Sequence, residues 1–243
     1  VAGLVLAGGL ATAADAQAAG PELAIEALTD LRERGISWSG GRPTAQLFLG
    51  LPVAGGLAVE ARAAGLRGSA RHGGADVGFD LGGVWRGNRG PWQLSGGMVG
   101  HLFAGRARLN YAEGQARAAY LVGPASIGAS LAYAPRQDAI GGDNLYLGAD
   151  AALAVPGTPV TLDAAFGHAS GHAAGGARVR DRALRLRPDG DYWDYRVGLT
   201  YVRSPWALTL RLSGTSIDNV GRSAAYGDRH VGRRVTASVL VDL

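Results

Sequence analysis

The chain has no cysteine, no lysine and one methionine, and only 18% of its residues are charged. Without cysteine there is neither a disulfide framework nor a thiolate metal site. Beyond the first few positions no apolar run approaches the ~18 residues that a membrane-spanning helix needs. The chain is nevertheless too apolar for disorder, with 47% hydrophobic residues. Every basic side chain apart from histidine is an arginine, and the net charge is +4. An all-arginine set is compatible with nucleic-acid binding, but it equally fits a composition rich in Gly, Ala and Arg. No nucleic-acid partner is expected. Glycine is abundant, at 40 of 243 residues. A single all-β barrel would use that length whole.

The stretch Val1-Ala-Gly-Leu-Val-Leu-Ala-Gly-Gly-Leu10 is apolar but too short to span a bilayer. Ala16-Gln17-Ala18 follows with the small-x-small form of a signal-peptidase site. Residues 1–18 are therefore expected to be a signal peptide lacking its start, and 19–243 the mature domain.

From about Leu23 to Leu243 the apolar signal has period two, which places alternate side chains on opposite faces of strands. Trp206, Leu208, Leu210 and Leu212 alternate with Ala207, Thr209, Arg211 and Ser213. Trp193, Tyr195, Val197, Leu199 and Tyr201 alternate with Asp194, Arg196, Gly198 and Thr200. About twelve such segments occur, each near the ~9–11 residues that cross a bilayer at a tilt. A soluble β-sandwich would alternate too, but the connections argue for a membrane barrel. Every second one is short and carries proline, as in Arg86-Gly-Asn-Arg-Gly-Pro91 and Arg203-Ser-Pro205. Those between are longer and polar, roughly 34–42, 67–73, 104–110, 135–142, 169–191 and 215–232. Short periplasmic turns and longer extracellular loops are the asymmetry of outer-membrane barrels. Aromatic residues fall at both strand ends: Trp85, Trp92, Tyr120, Tyr201 and Trp206 beside the short turns, and Phe103, Tyr111, Tyr133, Phe166, Trp193 and Tyr195 beside the loops. The predicted fold is an all-β, transmembrane, antiparallel up-and-down barrel of about 12 strands in the outer membrane. It ends on an alternating strand, Val235 to Leu243.

Leu28-Thr-Asp-Leu-Arg-Glu-Arg-Gly-Ile-Ser-Trp-Ser-Gly-Gly-Arg-Pro43 resembles the first strand and loop of the TorF-like porins of proteobacteria. Leu31 and Glu33 stand where that family more often has aromatics. Asn110-Tyr-Ala-Glu113 and Tyr192-Trp-Asp-Tyr-Arg-Val-Gly198 are similar to two of its later strand starts. The resemblance implies a monomeric outer-membrane barrel with a transport role, no defined substrate and no catalytic residues.

With apolar side chains toward lipid, the opposite face carries Glu26, Asp30, Arg32, Glu60, Arg62, Asp76, Asp80, Glu113, Gln115, Arg117, Asp150, Asp163, Asp194, Arg196, Arg211 and Arg234. These are the expected pore-lining residues. Charges of both signs can pair and fill a lumen, or set a transverse field across a wet constriction. About twelve strands lies between a filled barrel and a wide channel, so a narrow pore and a plugged barrel both remain open. Inward Ala58, Gly78, Gly82, Gly148 and Gly198 incline the reading to a narrow pore. His168 and His172 lie four apart in what reads as loop, and no metal or cofactor is expected of them. Arg178 to Arg187 is the densest positive run, read either as a solvated loop or as a grip on lipopolysaccharide phosphates or anionic solutes. Ser95 and His101 share inward parity but lie ~20 Å apart along a strand, so a lipid- or peptide-modifying enzyme is the weaker expectation. Passive diffusion of small polar solutes is the leading one, and a structural or adhesive barrel with a closed lumen the runner-up. The partners expected are membrane lipid, lipopolysaccharide and those solutes.

Overall fold

Period-two alternation and glycine-proline turns close a single antiparallel barrel of twelve strands in the computed structural model of the chain. The structure describes residues 20–173, 176, 181–218, 226 and 229–243. The expected signal peptide lies outside the described residues. The barrel strands are β1 (Glu22–Leu28), β4 (Thr44–Ala54), β5 (Leu57–Ser69), β6 (Ala75–Arg89), β7 (Trp92–Phe103), β8 (Tyr111–Val122), β9 (Ala125–Gln137), β10 (Gly142–Ala154), β11 (Val160–Ser170), β12 (Tyr192–Arg203), β13 (Trp206–Thr215) and β14 (Arg234–Asp242). Each pairs with its neighbour in sequence, and β1 pairs with β14 to leave no edge, Ala24 opposite Asp242. Closure matters because unpaired backbone groups are costly in hydrocarbon. The remaining two strands, β2 (Arg32–Glu33) and β3 (Ile36–Ser37), form a separate hairpin.

At one end the strands are joined by residues 55–56, 90–91, 123–124, 155–159 and 204–205; at the other the connections range from 138–141 to 171–191. The asymmetry read from proline and glycine is thus present.

The outward face is apolar and bare. Met98 is 68% exposed, Ile127 63%, and Leu81 and Leu210 55% each. A band of this extent is a lipid-facing surface. No helix among the described residues is long and apolar enough to cross a membrane; the strands do so. Trp85, Trp92, Tyr120, Tyr201 and Trp206 lie on this face at the short-turn end, and Tyr133, Phe166 and Trp193 at the other. Phe103 and Tyr111 do not belong to the belt assigned to them. Leu102 and Met98 point outward from β7, so Phe103 points inward by parity, and both rings are buried in an internal cluster. His168 is likewise not in a loop: it is in β11, its ring 4.2 Å from that of Trp193.

Candidate functional site: a charged lumen closed at one end

The first long connection does not stay outside the barrel. β1 ends at Leu28, and residues 29–43 fold into the lumen, burying Asp30, Leu31, Glu33, Ile36, Trp38 and Ser39. Asp30 organises the descent. Its carboxylate accepts from the Ser37 hydroxyl at 2.5 Å, the Ser39 hydroxyl at 3.0 Å and Arg32 Nη1 at 3.2 Å. The β2–β3 hairpin turns at Arg34 and Gly35, both at positive φ (48° and 75°), the pattern of a type I′ turn. Gly35 is also packed at the tip, where a Cβ would lie 2.6 Å from Thr215 Cγ2 and 2.8 Å from Asp194 Cβ.

The tip reaches the far wall. Arg34 Nη2 donates to Glu113 Oε1 at 2.6 Å, its guanidinium lies 4.7 Å from the Tyr146 ring centroid, and its carbonyl accepts from the Tyr192 hydroxyl at 3.1 Å. Beside it Arg62 bridges Glu33 of the hairpin and Asp80 of β6, donating from Nε to Asp80 at 2.7 Å. Asp80 also meets His101 Nδ1 at 2.7 Å. Glu33, Arg62, Asp80, His101, Glu113 and Arg34 therefore form one buried chain of charges clamping the hairpin across the barrel. Removing a member of such a chain leaves its partner uncompensated, the costly case for buried ions.

Above this lies an apolar layer that includes Leu31, Trp38, Leu66, Phe103, Leu109, Tyr111 and Ile140. Arg185, from the connection after β11, caps it. Its Nε donates to the Arg71 carbonyl at 3.0 Å, and Nη1 to the carbonyls of Leu109 at 3.0 Å and Ala139 at 2.6 Å. Burial, with Arg71 and Arg182 nearby, brings its pKa down to about 10. The reading of this run as a solvated or lipopolysaccharide-gripping loop is corrected for Arg185 and Arg187, while Arg182 stays partly exposed with its Nη1 on the Asp138 carbonyl at 3.1 Å. Arg185 is 1% and Arg187 6% exposed, because backbone carbonyls of several loops converge on them. Arg178 and Arg180 lie outside the described residues. His72 stacks on Phe103 with ring centroids 4.8 Å apart. Neither of its ring nitrogens has a hydrogen-bond partner among the described residues. Burial, reinforced by Arg185 and Arg71, holds its pKa well below the usual histidine range.

Beneath the hairpin a cavity of about 1060 Å³ runs to the short-turn rim, where Glu22, Pro159 and Leu243 line it. Glu26, Glu60, Arg62, Gln115, Arg117, Asp150, Asp163, Asp194, Arg196 and Arg211 line it from the strands, and Asp30 and Arg32 from the infolded loop rather than from β1. Asp80 and Glu113 are buried in the clamp instead, at 5% and 2% exposure. Asp76 has the expected parity but is exposed near the long-loop rim, outside the cavity, because β6 extends beyond the plug. Arg234 is exposed as well, its Nη2 3.4 Å from the Gly41 carbonyl. Ser95 lines the cavity while His101 is buried in the clamp, so the two are not brought together. His172 lies 3.6 Å from Asp143 at the surface. Among the described residues no group of three or more metal-ligating side chains forms.

Sequence reading missed Glu33, Arg34 and Trp38 as lumen residues. The available signal was Arg34-Gly35 between Arg32-Glu33 and Ile36-Ser37, the composition of a tight hairpin inside a supposed surface loop.

A closed barrel with an apolar belt, a charged interior and a plug folded in from one long loop defines a membrane-spanning β-barrel of the porin type of architecture. Residues 15–242 match the bacterial protein family of unknown function designated Gcw_chp. The chain belongs to that family. The match does not name the TorF-like porins that the first segment resembles. No curated protein sequence matches the chain. Among solved structures, the NanC porin superposes with a TM-score of 0.58 at 9% identity, over 91% of this chain and 98% of that one. A structure from work on in-meso crystallisation of membrane proteins gives 0.52 at 8% identity, over 91% and 83%. At these identities the likeness is one of fold.

Proposed function

We propose that the protein is a monomeric outer-membrane channel for small polar solutes, with its short turns in the periplasm and its outward band in contact with membrane lipid and lipopolysaccharide. In the conformation described, the β2–β3 hairpin holds the extracellular side shut. The observation that carries this reading is the cavity of about 1060 Å³ beneath the hairpin. A barrel serving only as a scaffold has no need to keep such a charged, open vestibule, whereas a solute path does. No catalytic role is assigned.

The plug favours a second reading, a structural barrel whose lumen never opens. Planar-bilayer recordings separate the two. The wild-type protein is expected to open rarely, and a variant with residues 32–37 replaced by a flexible Gly/Ser linker to show frequent, discrete conductance steps. Silence from the folded linker variant would overturn the channel and leave the structural barrel.

A further inference from the structure

Five arginines with inward parity or in the infolded hairpin reach a carboxylate: Arg32 with Asp30, Arg34 with Glu113, Arg62 with Glu33 and Asp80, Arg86 with Glu60, and Arg117 with Asp150. Arg196 and Arg211 line the same cavity and form no ion pair among the described residues. The Nε atom of each is shut from solvent without a hydrogen-bond partner among the described residues. Arg196 stands opposite Ser213, and Gly198 opposite Arg211, so the two guanidinium-bearing residues are diagonal neighbours on the inward face of β12 and β13. Like charges so placed repel, and an anion between them turns the repulsion into binding.

Asp163 and Asp194 flank the pair without closing on it, and Glu26 of β1, which accepts from the Gln46 amide, adds its charge on the Arg211 side. Asp163 shares the row of Gly198 and Arg211. Its carboxylate occupies the space above Gly198, where a Cβ would lie 2.9 Å from Asp163 Cγ, and its Oδ2 has no hydrogen-bond partner among the described residues. Asp194 precedes Arg196 by two residues on the same face, about 7 Å along the strand. One of its oxygens accepts from the Tyr146 hydroxyl at 3.2 Å and the other has no partner among the described residues. Charges of both signs thus stand side by side on one wall of an open cavity, with no ion pair to Arg196, Arg211, Asp163 or Asp194 among the described residues.

We propose that this wall of β11 to β13 binds a small zwitterion. The solute's carboxylate lies between Arg196 and Arg211, and its ammonium group meets Asp163. A simple anion satisfies the guanidiniums but leaves Asp163 repelled; a simple cation does the reverse. This site takes as its setting the aqueous lumen proposed above. It faces the part of the cavity that reaches the short-turn rim, so it is accessible without displacing the hairpin.

Isothermal titration calorimetry on the full-length, detergent-solubilised protein tests the site with β-alanine, acetate and ethylammonium. β-Alanine is expected to bind saturably, and acetate and ethylammonium at least about tenfold more weakly, as loss of one charge contact implies. Arg211→Gln and Asp163→Asn are each expected to weaken β-alanine binding by about tenfold or more, with Arg211→Lys recovering part of it. Heat-modifiable gel mobility verifies that each variant retains its barrel. The proposal is overturned if acetate binds as tightly as β-alanine, if the folded protein shows no saturable binding, or if both neutralising variants bind normally. Conductance without β-alanine binding removes the site and leaves the channel. Binding without conductance from the linker variant removes the channel and leaves the site.

Discussion

Replacing Arg34 by alanine should loosen the hairpin from the far wall and raise the open probability of the proposed channel. Arg34 brings to docking an ion pair with Glu113 at 2.6 Å and a cation–π contact with Tyr146 at 4.7 Å. The side chains of the pair are 21% and 2% exposed, so the carboxylate is the deeply buried partner. Stripping one partner from a fully buried pair costs about 3–5 kcal/mol. Two features reduce that here. Arg34 retains some solvent, and Glu113 keeps the Gln115 amide at 2.8 Å, with His101 Nε2 at 3.8 Å. A loss of roughly 2–3 kcal/mol of docking free energy remains, which is a shift of about 30- to 150-fold in the docked-to-undocked ratio. The Tyr192 hydrogen bond goes to the backbone carbonyl and survives the substitution. Single-channel recording reads the change as open probability, with Arg34→Lys intermediate because it keeps the charge but not the planar fork. An Arg34→Ala protein that is folded by heat-modifiable mobility, yet opens no more often than the wild type, would refute the assignment of the hairpin as the closing element.

Three further expectations follow from particular contacts. Because the pKa of His72 is depressed below its usual value of 6.5, the cap keeps its full stability above about pH 6.5 and loses it as pH falls toward the folded-state value. Limited proteolysis of the long-loop end between pH 7.5 and 5 should show this loss in the wild type and a shallower dependence in His72→Phe, whose ring can still stack on Phe103; equal slopes would exclude His72 as the cause. Gly167→Ala should cost about 1–3 kcal/mol in urea unfolding, since its Cβ would enter the Tyr146 ring, 2.8 Å from Cε2. Leu210→Arg, at the middle of β13 and 55% exposed, should lower folding stability in lipid vesicles by about 2–4 kcal/mol, and an unchanged value would mean that this face does not meet hydrocarbon.

The twelve strands were legible because a strand with lipid on one side and a polar lumen on the other must alternate at every residue. Glu60, Arg62, Arg117, Asp150, Asp163, Asp194, Arg196 and Arg211 could be placed on the lumen side by counting alone. Counting failed where strands end. Phe103 and Tyr111 were assigned to the outer belt by their nearness to a loop, although their parity turns them inward. Asp30 and Arg32 were read as continuing β1, but the chain leaves the barrel wall after Leu28. Arg185 was read within a run either solvated or gripping phosphates and anionic solutes, because local sequence offers no sign of the carbonyls that enclose it.

The sequence by itself therefore determined the wall: strand number, facing and the uneven lengths of turns, all set by neighbours along the chain and by the two solvents on either side of it. The tertiary structure alone decided what stands inside that wall. The hairpin closes the lumen through Arg34 and Glu113, 79 residues apart, and the cap through Arg71 and Arg185, 114 apart. Contacts at such separations depend on which strands the closed barrel brings face to face, and no local periodicity encodes them.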